Sequence, residues 1–236
     1  MILVVFDIDG TLVDTSKVDG ECYLGAMVKA FGIPPIEPNW DIFPDVTDSG
    51  IFRDMFTAHF SRPPEARETQ LFIDTFVELL ESAFSQAPDR FKEIPGARAL
   101  LDALSESDEY AAAMATGGWQ ASAAFKLNRA QIDMNRFPHA TSNDAYTRAE
   151  IVEAAIQRAR DWHDVTEFSK VVLVGDGPWD VRTAQEMGHP FIGVGDETFF
   201  RSKGVVHSVR DYLDKDNFLE RLDRASAPGE PETSPR

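Results

Sequence analysis

The feature that most narrows the fold of this chain is an alternation of short apolar runs with helical stretches. Ile2-Leu3-Val4-Val5-Phe6 is a continuous β-prone run of the kind buried on both faces of a parallel sheet. Comparable runs return much later. Tyr110-Ala111-Ala112-Ala113-Met114-Ala115 precedes Thr116-Gly117-Gly118, and Val171-Val172-Leu173-Val174 precedes Gly175-Asp176-Gly177. Phe191-Ile192-Gly193-Val194 follows Pro190, and Val205-Val206 follows Gly204. Helical periodicity over 97–106, 120–128, 148–162 and 179–187 fills the intervals. Strands alternating with helices predict a parallel α/β sheet.

The alternation is interrupted once. Residues 16–91 contain no convincing strand and three helical segments, over 21–31, 47–60 and 65–85. In the last, Leu71, Phe72, Thr75, Phe76, Leu79, Leu80 and Phe84 fall on one helical face. The predicted organisation is therefore an α/β core from 1–15 and 92–224, a helical domain from 16–91 inserted after the first strand, and a tail from 225–236. The tail carries Pro228, Gly229, Pro231 and Pro235 and is expected to be disordered.

The chemistry begins directly after the first strand, in Asp7-Ile8-Asp9-Gly10-Thr11-Leu12-Val13. Ligands of open α/β sheets bind beyond the carboxyl ends of strands. Carboxylates at i and i+2 of a strand point the same way, and buried together they repel unless a cation or a proton intervenes. A hard divalent metal on one and a proton-transfer role for the other resolve the conflict. Gly10 allows the tight turn that follows.

This segment resembles the first signature motif of the haloacid dehalogenase-like hydrolase superfamily, in its phosphatase branch. The resemblance implies a Rossmann-like parallel sheet with an inserted all-helical cap, and Mg²⁺ as cofactor. It further implies Asp7 as nucleophile and metal ligand, forming an aspartyl-phosphate. Asp9 is then general acid/base, also touching the metal through its backbone carbonyl, with Gly10 and Thr11 in the substrate loop. The family's second motif is a Thr or Ser at a strand end that donates to the phosphoryl group. Thr116 matches it, followed by Gly117 and Gly118 with backbone donors for an anion. The fourth motif is an acidic pair, matched by Asp176 and Asp180. Asp180 would reach the metal directly or through water, or else stabilise its helix N-terminus.

The third motif normally supplies a Lys, and here the sequence departs from the family pattern. The cation at the expected place is Arg148, whose guanidinium can fork onto two oxygens. Lys126 is a rival, and a surface role for Arg148 is the plain alternative. Thr47-Asp48-Ser49-Gly50-Ile51 resembles a cap segment of phosphoglycolate-phosphatase-like members, which makes Thr47 and Asp48 substrate-facing. Either would equally serve as a helix N-cap. Lys17, in the linker to the insert, is read as a solvated hinge residue or an anion contact.

The remaining composition excludes other chemistries. A net charge of −17 argues against a nucleic-acid partner. No apolar run reaches the roughly 18 residues of a membrane span. The opening run is too short for a signal peptide, and Cys22 is the sole cysteine, so a reducing, cytoplasmic setting is expected. Cys22 is expected to pack rather than react. The five histidines show no zinc spacing, and Walker A, G-x-G-x-x-G and G-x-S-x-G patterns are missing. Trp40, Trp119, Trp162 and Trp179 are expected in the core or at domain contacts. The expected partner is a small phosphorylated metabolite, acted on by a monomer or homodimer. Hydrolysis of a phosphate monoester leads, and a sugar-phosphate mutase sharing the aspartyl-phosphate is the alternative. Carbon–halogen hydrolysis is disfavoured by Asp9, since no alkoxide would need its proton. A silent binding protein is disfavoured by the intact Asp7, Asp9, Thr116 and Asp176.

Overall fold

The computed structural model describes residues 1–36, 39–43 and 46–229. At its centre lies a six-stranded sheet in the order β3-β2-β1-β4-β5-β6, with every paired strand parallel. The strands are β1 (Ile2–Phe6), β2 (Tyr110–Ala115), β3 (His139–Ala140), β4 (Lys170–Gly175), β5 (Phe191–Val194) and β6 (His207–Val209). Alternation along β1 assigns its side chains to opposite faces. Val4 and Phe6 join a cluster with α4 (Ala97–Ser105), α5 (Gln120–Arg129) and α9 (Lys215–Arg224). Leu3 and Val5 join another with α6 (Arg148–His163) and α7 (Pro178–Met187). Both faces are covered, which is why these strands read as unbroken apolar runs.

This strand order places the site. The chain runs outward from β1 through β2 to β3, then returns to the other side of β1 for β4. The crevice beyond the carboxyl ends of β1 and β4 is therefore the switch point where ligands of such sheets bind. Phe6 pairs with Met114 on one side and Val174 on the other. Asp7, Thr116 and Asp176 thus leave three adjacent strands at one level.

Between β1 and β2 stand α1 (Ser16–Phe31), α2 (Asp48–Phe60) and α3 (Ala66–Gln86). They share an aromatic cluster of their own, in which the Phe72 ring lies 4.6 Å from Phe52 and 4.8 Å from Tyr23, centroid to centroid. Trp119 of the sheet side is buried in the same cluster, so the insert packs on the core rather than standing apart.

Several elements differ from expectation. Helix α1 starts at Ser16, five residues before the predicted 21, because Val18 is buried with Cys22 and Tyr23 and extends the packed face. The last strand is His207–Val209, with Val205 packing beside Phe200 and Val206 exposed. Strand β3, α8 (Glu197–Ser202) and α9 carry no clear sequence signal. Two strand residues are too few for any periodicity, and α9 shows only a narrow apolar stripe in a polar sequence. On α3 the buried set is Phe72, Ile73, Thr75, Phe76 and Leu80, while Leu71 is 48% exposed. Trp162 is 59% exposed, against the core position expected of it. The tail expected from Ala225 is tied down at its start. Ser226 accepts from the Phe191 amide and Gly229 donates to the Gly204 carbonyl. Residues 230–236 lie outside the described residues.

Phe72→Ala removes a fully buried ring stacked in the insert. The expected loss is about 3–5 kcal/mol, read from the urea midpoint at constant m-value.

Candidate active site

Asp7 follows β1, and its amide donates to the Val174 carbonyl of β4 at 2.9 Å. That bond continues the ladder one residue past the strand and holds the loop after β1 against the loop after β4. The chain then turns through Gly10 (φ 75°), whose amide donates to Val13 O at 2.7 Å. A Cβ on Gly10 would lie 1.9 Å from Asp176 Oδ2. Glycine is required because the two loops approach too closely for any side chain.

One carboxylate oxygen each from Asp7, Asp176 and Asp180 lie within 4.8 Å of one another. Asp180 opens α7, where its Oδ2 accepts from the Gly177 amide at 3.0 Å and its Oδ1 from Arg148 Nη1 at 2.6 Å. It therefore stabilises a helix start and faces the site at once. Asp176 Oδ1 is buried without a hydrogen-bond partner. An orphaned carboxylate oxygen inside an all-oxygen donor set suits a hard divalent cation. The Asp9 carboxylate stands outside this trio.

The two rival cations divide the site between them. Arg148 opens α6 and sends Nη1 to Asp7 Oδ1 at 3.4 Å and to Asp180, while its Nε donates to the Val46 carbonyl at 2.9 Å. Lys126, fully buried in α5, meets Asp9 Oδ2 at 2.6 Å and Asp19 of α1. Lys17 is exposed, and Lys170 Nζ donates to the Leu222 and Asp223 carbonyls far from the cluster.

Burial dominates the electrostatics. Desolvation, then the neighbouring Asp180, push the Asp7 carboxyl up from 3.8 to about 8, against the pull of Arg148. Asp176 is raised well above the carboxylate range by burial, Asp180 and Asp7. Burial opposes charge on Lys126, but Asp19, Asp9 and Asp48 outweigh it and hold the ammonium above the usual lysine range. Burial likewise lifts the Cys22 thiol to about 11, which suits packing and not attack.

Thr116 follows β2 and lines the same cavity as Asp7. Its Oγ1 accepts the Gly118 amide at 3.1 Å, so that expected anion donor is engaged internally. Gly117 faces Arg148 Nη2 and Val46 O closely enough that a Cβ would sit 3.0 Å and 2.8 Å from them. Thr11 is fully buried beneath the loop, where its carbonyl accepts from Tyr212, and it does not line the cavity. Thr47 is the N-cap of α2, accepting from Gly50 N, and its hydroxyl donates to Tyr146 O at 2.7 Å. Asp48 bridges insert and core: its amide donates to Gly117 O at 2.7 Å and its Oδ2 accepts the Trp119 amide at 2.9 Å. Burial, then Asp19, raise the Asp48 carboxyl well above the usual range.

A cavity of about 100 Å³ rises from Asp7 and Thr116 toward the insert, walled by Tyr23, Trp40, Asp19 and Asp48. Asp19, Tyr23 and Trp40 are not among the site residues expected from the sequence. The available signal for Asp19 is its i, i+4 spacing to Tyr23 on α1. For Lys126 it is a lysine on the buried face shared with Ser122, Ala123 and Leu127.

A parallel sheet with carboxylates gathered at its switch point defines a Rossmann-like core with a cation-ready acidic site. The family described as haloacid dehalogenase-like hydrolase matches residues 4–194, and the chain belongs to it. Among solved structures, a hydrolase from Pseudomonas syringae superposes with TM-score 0.70 at 19% identity, covering 94% of this chain and 99% of that one. A provisionally assigned β-phosphoglucomutase from Bacteroides vulgatus gives 0.63 at 17%, covering 95% and 89%. A predicted phosphoglycolate phosphatase from Haemophilus somnus gives 0.55 at 17%, covering 92% and 97%. No curated protein matches. Members of this family generally use a divalent metal, and no described helix is long and apolar enough to cross a membrane.

With Asp7 raised to about 8, the metal-free fold retains a proton that the unfolded chain has released. The associated stability is complete below the unfolded value of 3.8 and is lost as pH rises toward 8. The melting temperature without metal should therefore fall between about pH 6 and pH 8, and added Mg²⁺ should raise it more at the higher pH. An equal Mg²⁺ effect at both pH values would contradict this.

Proposed function

We propose that this protein is a Mg²⁺-dependent phosphatase that hydrolyses a small phosphate monoester through an aspartyl-phosphate on Asp7. The observation that carries the proposal is the convergence of Asp7 with Asp176, Asp180 and Arg148 at one strand-end crevice. The raised pKa of Asp7 supports a cation there, because a buried nucleophile must be ionised to attack at neutral pH. Asp7, Asp176 and Asp180 would hold Mg²⁺, which would supply positive charge to offset that of the nucleophile and the phosphoryl group.

The side chains then do the following. Arg148 neutralises phosphoryl charge and orients two equatorial oxygens so that the leaving oxygen lies in line with Asp7. Thr116 Oγ1 donates to a third. An Asp7 oxygen attacks phosphorus, the ester bond breaks, and Asp9 gives its proton to the departing alkoxide. Asp9 then takes a proton from water, whose oxygen attacks the aspartyl-phosphate and releases inorganic phosphate and Asp7. The helical insert acts as a cap: Asp48 on Gly117 and Trp119 seats it over the crevice and excludes bulk water.

The mutase alternative shares these steps but must also hold a second phosphate. Among the described residues lining the cavity, Arg148 is the only cation, so a second phosphate would have none of its own to meet. This favours water as the final acceptor.

Phosphate release from a panel of phosphorylated metabolites with Mg²⁺ tests the proposal. Asp7→Asn should abolish release, and Arg148→Ala should lower kcat/KM by about 100-fold or more. Turnover by Asp7→Asn at the wild-type rate would exclude the aspartyl-phosphate. Isomerisation that depends on a bisphosphate, with no free phosphate, would favour the mutase.

A further inference from the structure

Lys126 is a charged side chain with 0% exposure, placed on the face of α5 that Ala123 and Leu127 turn inward. An ammonium buried in that way is costly unless it is paired, and an apolar residue of the same length would pack there more cheaply. Packing therefore does not account for a lysine at this position. Its partners do. Lys126 Nζ donates to Asp9 Oδ2 at 2.6 Å and also to Asp19. The other Asp9 oxygen, Oδ1, accepts from Thr15 Oγ1 at 2.5 Å. Both oxygens of the acid/base are thus held by fixed donors of this chain, and Asp9 lines the cavity beside Asp7.

We propose that Lys126 is the positioning residue for Asp9: it fixes the carboxyl group at the leaving-group side of the cavity and couples it to the first helix of the insert through Asp19. This role rests on the phosphatase reading above. Two features of the geometry give it content. A carboxylate on two free single bonds would otherwise spread over several rotamers, and general acid catalysis needs the donor within about 3 Å of the departing oxygen. The second partner, Asp19, keeps the ammonium paired when Asp9 takes up a proton from solvent and turns that oxygen from Lys126 toward substrate, so the turn does not leave a lone buried charge. Asp19 sits on α1, four residues past Thr15, whose carbonyl accepts the Asp19 amide. One short segment thus carries both the Thr15 and the Asp19 ends of the clamp. Arg148 serves the nucleophile and Lys126 serves the acid/base.

The test uses the full chain with saturating Mg²⁺ and compares kcat/KM for two esters. One is p-nitrophenyl phosphate, whose leaving group departs without a proton, and the other is an alkyl phosphate, whose leaving group needs one. kcat/KM reports only steps through ester cleavage, so the later water step does not intrude. Lys126→Met should lower the alkyl value by about 100-fold and the p-nitrophenyl value by less than about 10-fold, the same pattern as Asp9→Asn. Because Lys126→Met leaves Asp9 and Asp19 facing each other, the double variant Lys126→Met with Asp19→Asn, which removes both buried charges, is measured beside it. The same split is expected. Equal losses on both esters, or no loss on either, in a variant that still binds Mg²⁺ and melts cooperatively would overturn the role of Lys126 alone. Absence of wild-type turnover on every ester would overturn the phosphatase reading and this role with it.

Discussion

Carboxylates crowded beyond the ends of β1 and β4 are the constraint around which the rest of this molecule is arranged. Asp7, Asp9 and Asp176 follow adjacent strands, Asp180 opens α7, and Asp19 and Asp48 line the cavity beside Asp7 from the insert. Side chains of one sign packed out of water repel and lose hydration, which is why desolvation heads the causes of the raised pKa at Asp7, Asp176, Asp180, Asp19 and Asp48. The fold answers with one buried and one half-buried cation, and with an oxygen-lined place for a third. Arg148 spans Asp7 and Asp180, and Lys126 spans Asp9 and Asp19. Each cation pairs with one carboxylate of the first loop and one carboxylate elsewhere, so the charge pairing also fixes the loops relative to one another.

The same pairing joins insert to core. Arg148 Nε reaches the Val46 carbonyl just before α2, and the Asp48 amide and carboxylate reach Gly117 and Trp119 just after β2. These contacts fall at the rim of the cavity, whereas the aromatic core of the insert lies behind them around Phe52, Phe72 and Phe76.

Much of the site is legible in the amino-acid sequence. Asp7, Asp9, Asp176 and Asp180 follow apolar runs at Gly-rich ends, and chain order alone places them at one edge of a parallel sheet. Arg148 stands where the family pattern has a lysine, and one of its nitrogens, Nη1, reaches both Asp7 and Asp180. The partner of Lys126 is not legible, because a helix position says which face is buried but not what stands opposite. Asp19 escapes for a related reason: its place one turn before Tyr23 on α1 does not say that Lys126 stands opposite. The two-residue β3 and the shift of the last strand to His207 escape because pairing with β2 and β5, rather than local propensity, makes those residues strands.

The order of strands and helices, the interruption after the first strand and the acidic loop motifs were set by sequence alone, since they depend on periodicity and on residue types at short spacing. What only the tertiary structure decided is which charge meets which. Lys126 and Asp9 are 117 positions apart, and Arg148 and Asp7 are 141 apart. Hydrogen bonds and ion pairs act over a few ångströms, so their assignment waits until the sheet register and the seating of the insert have brought distant segments together.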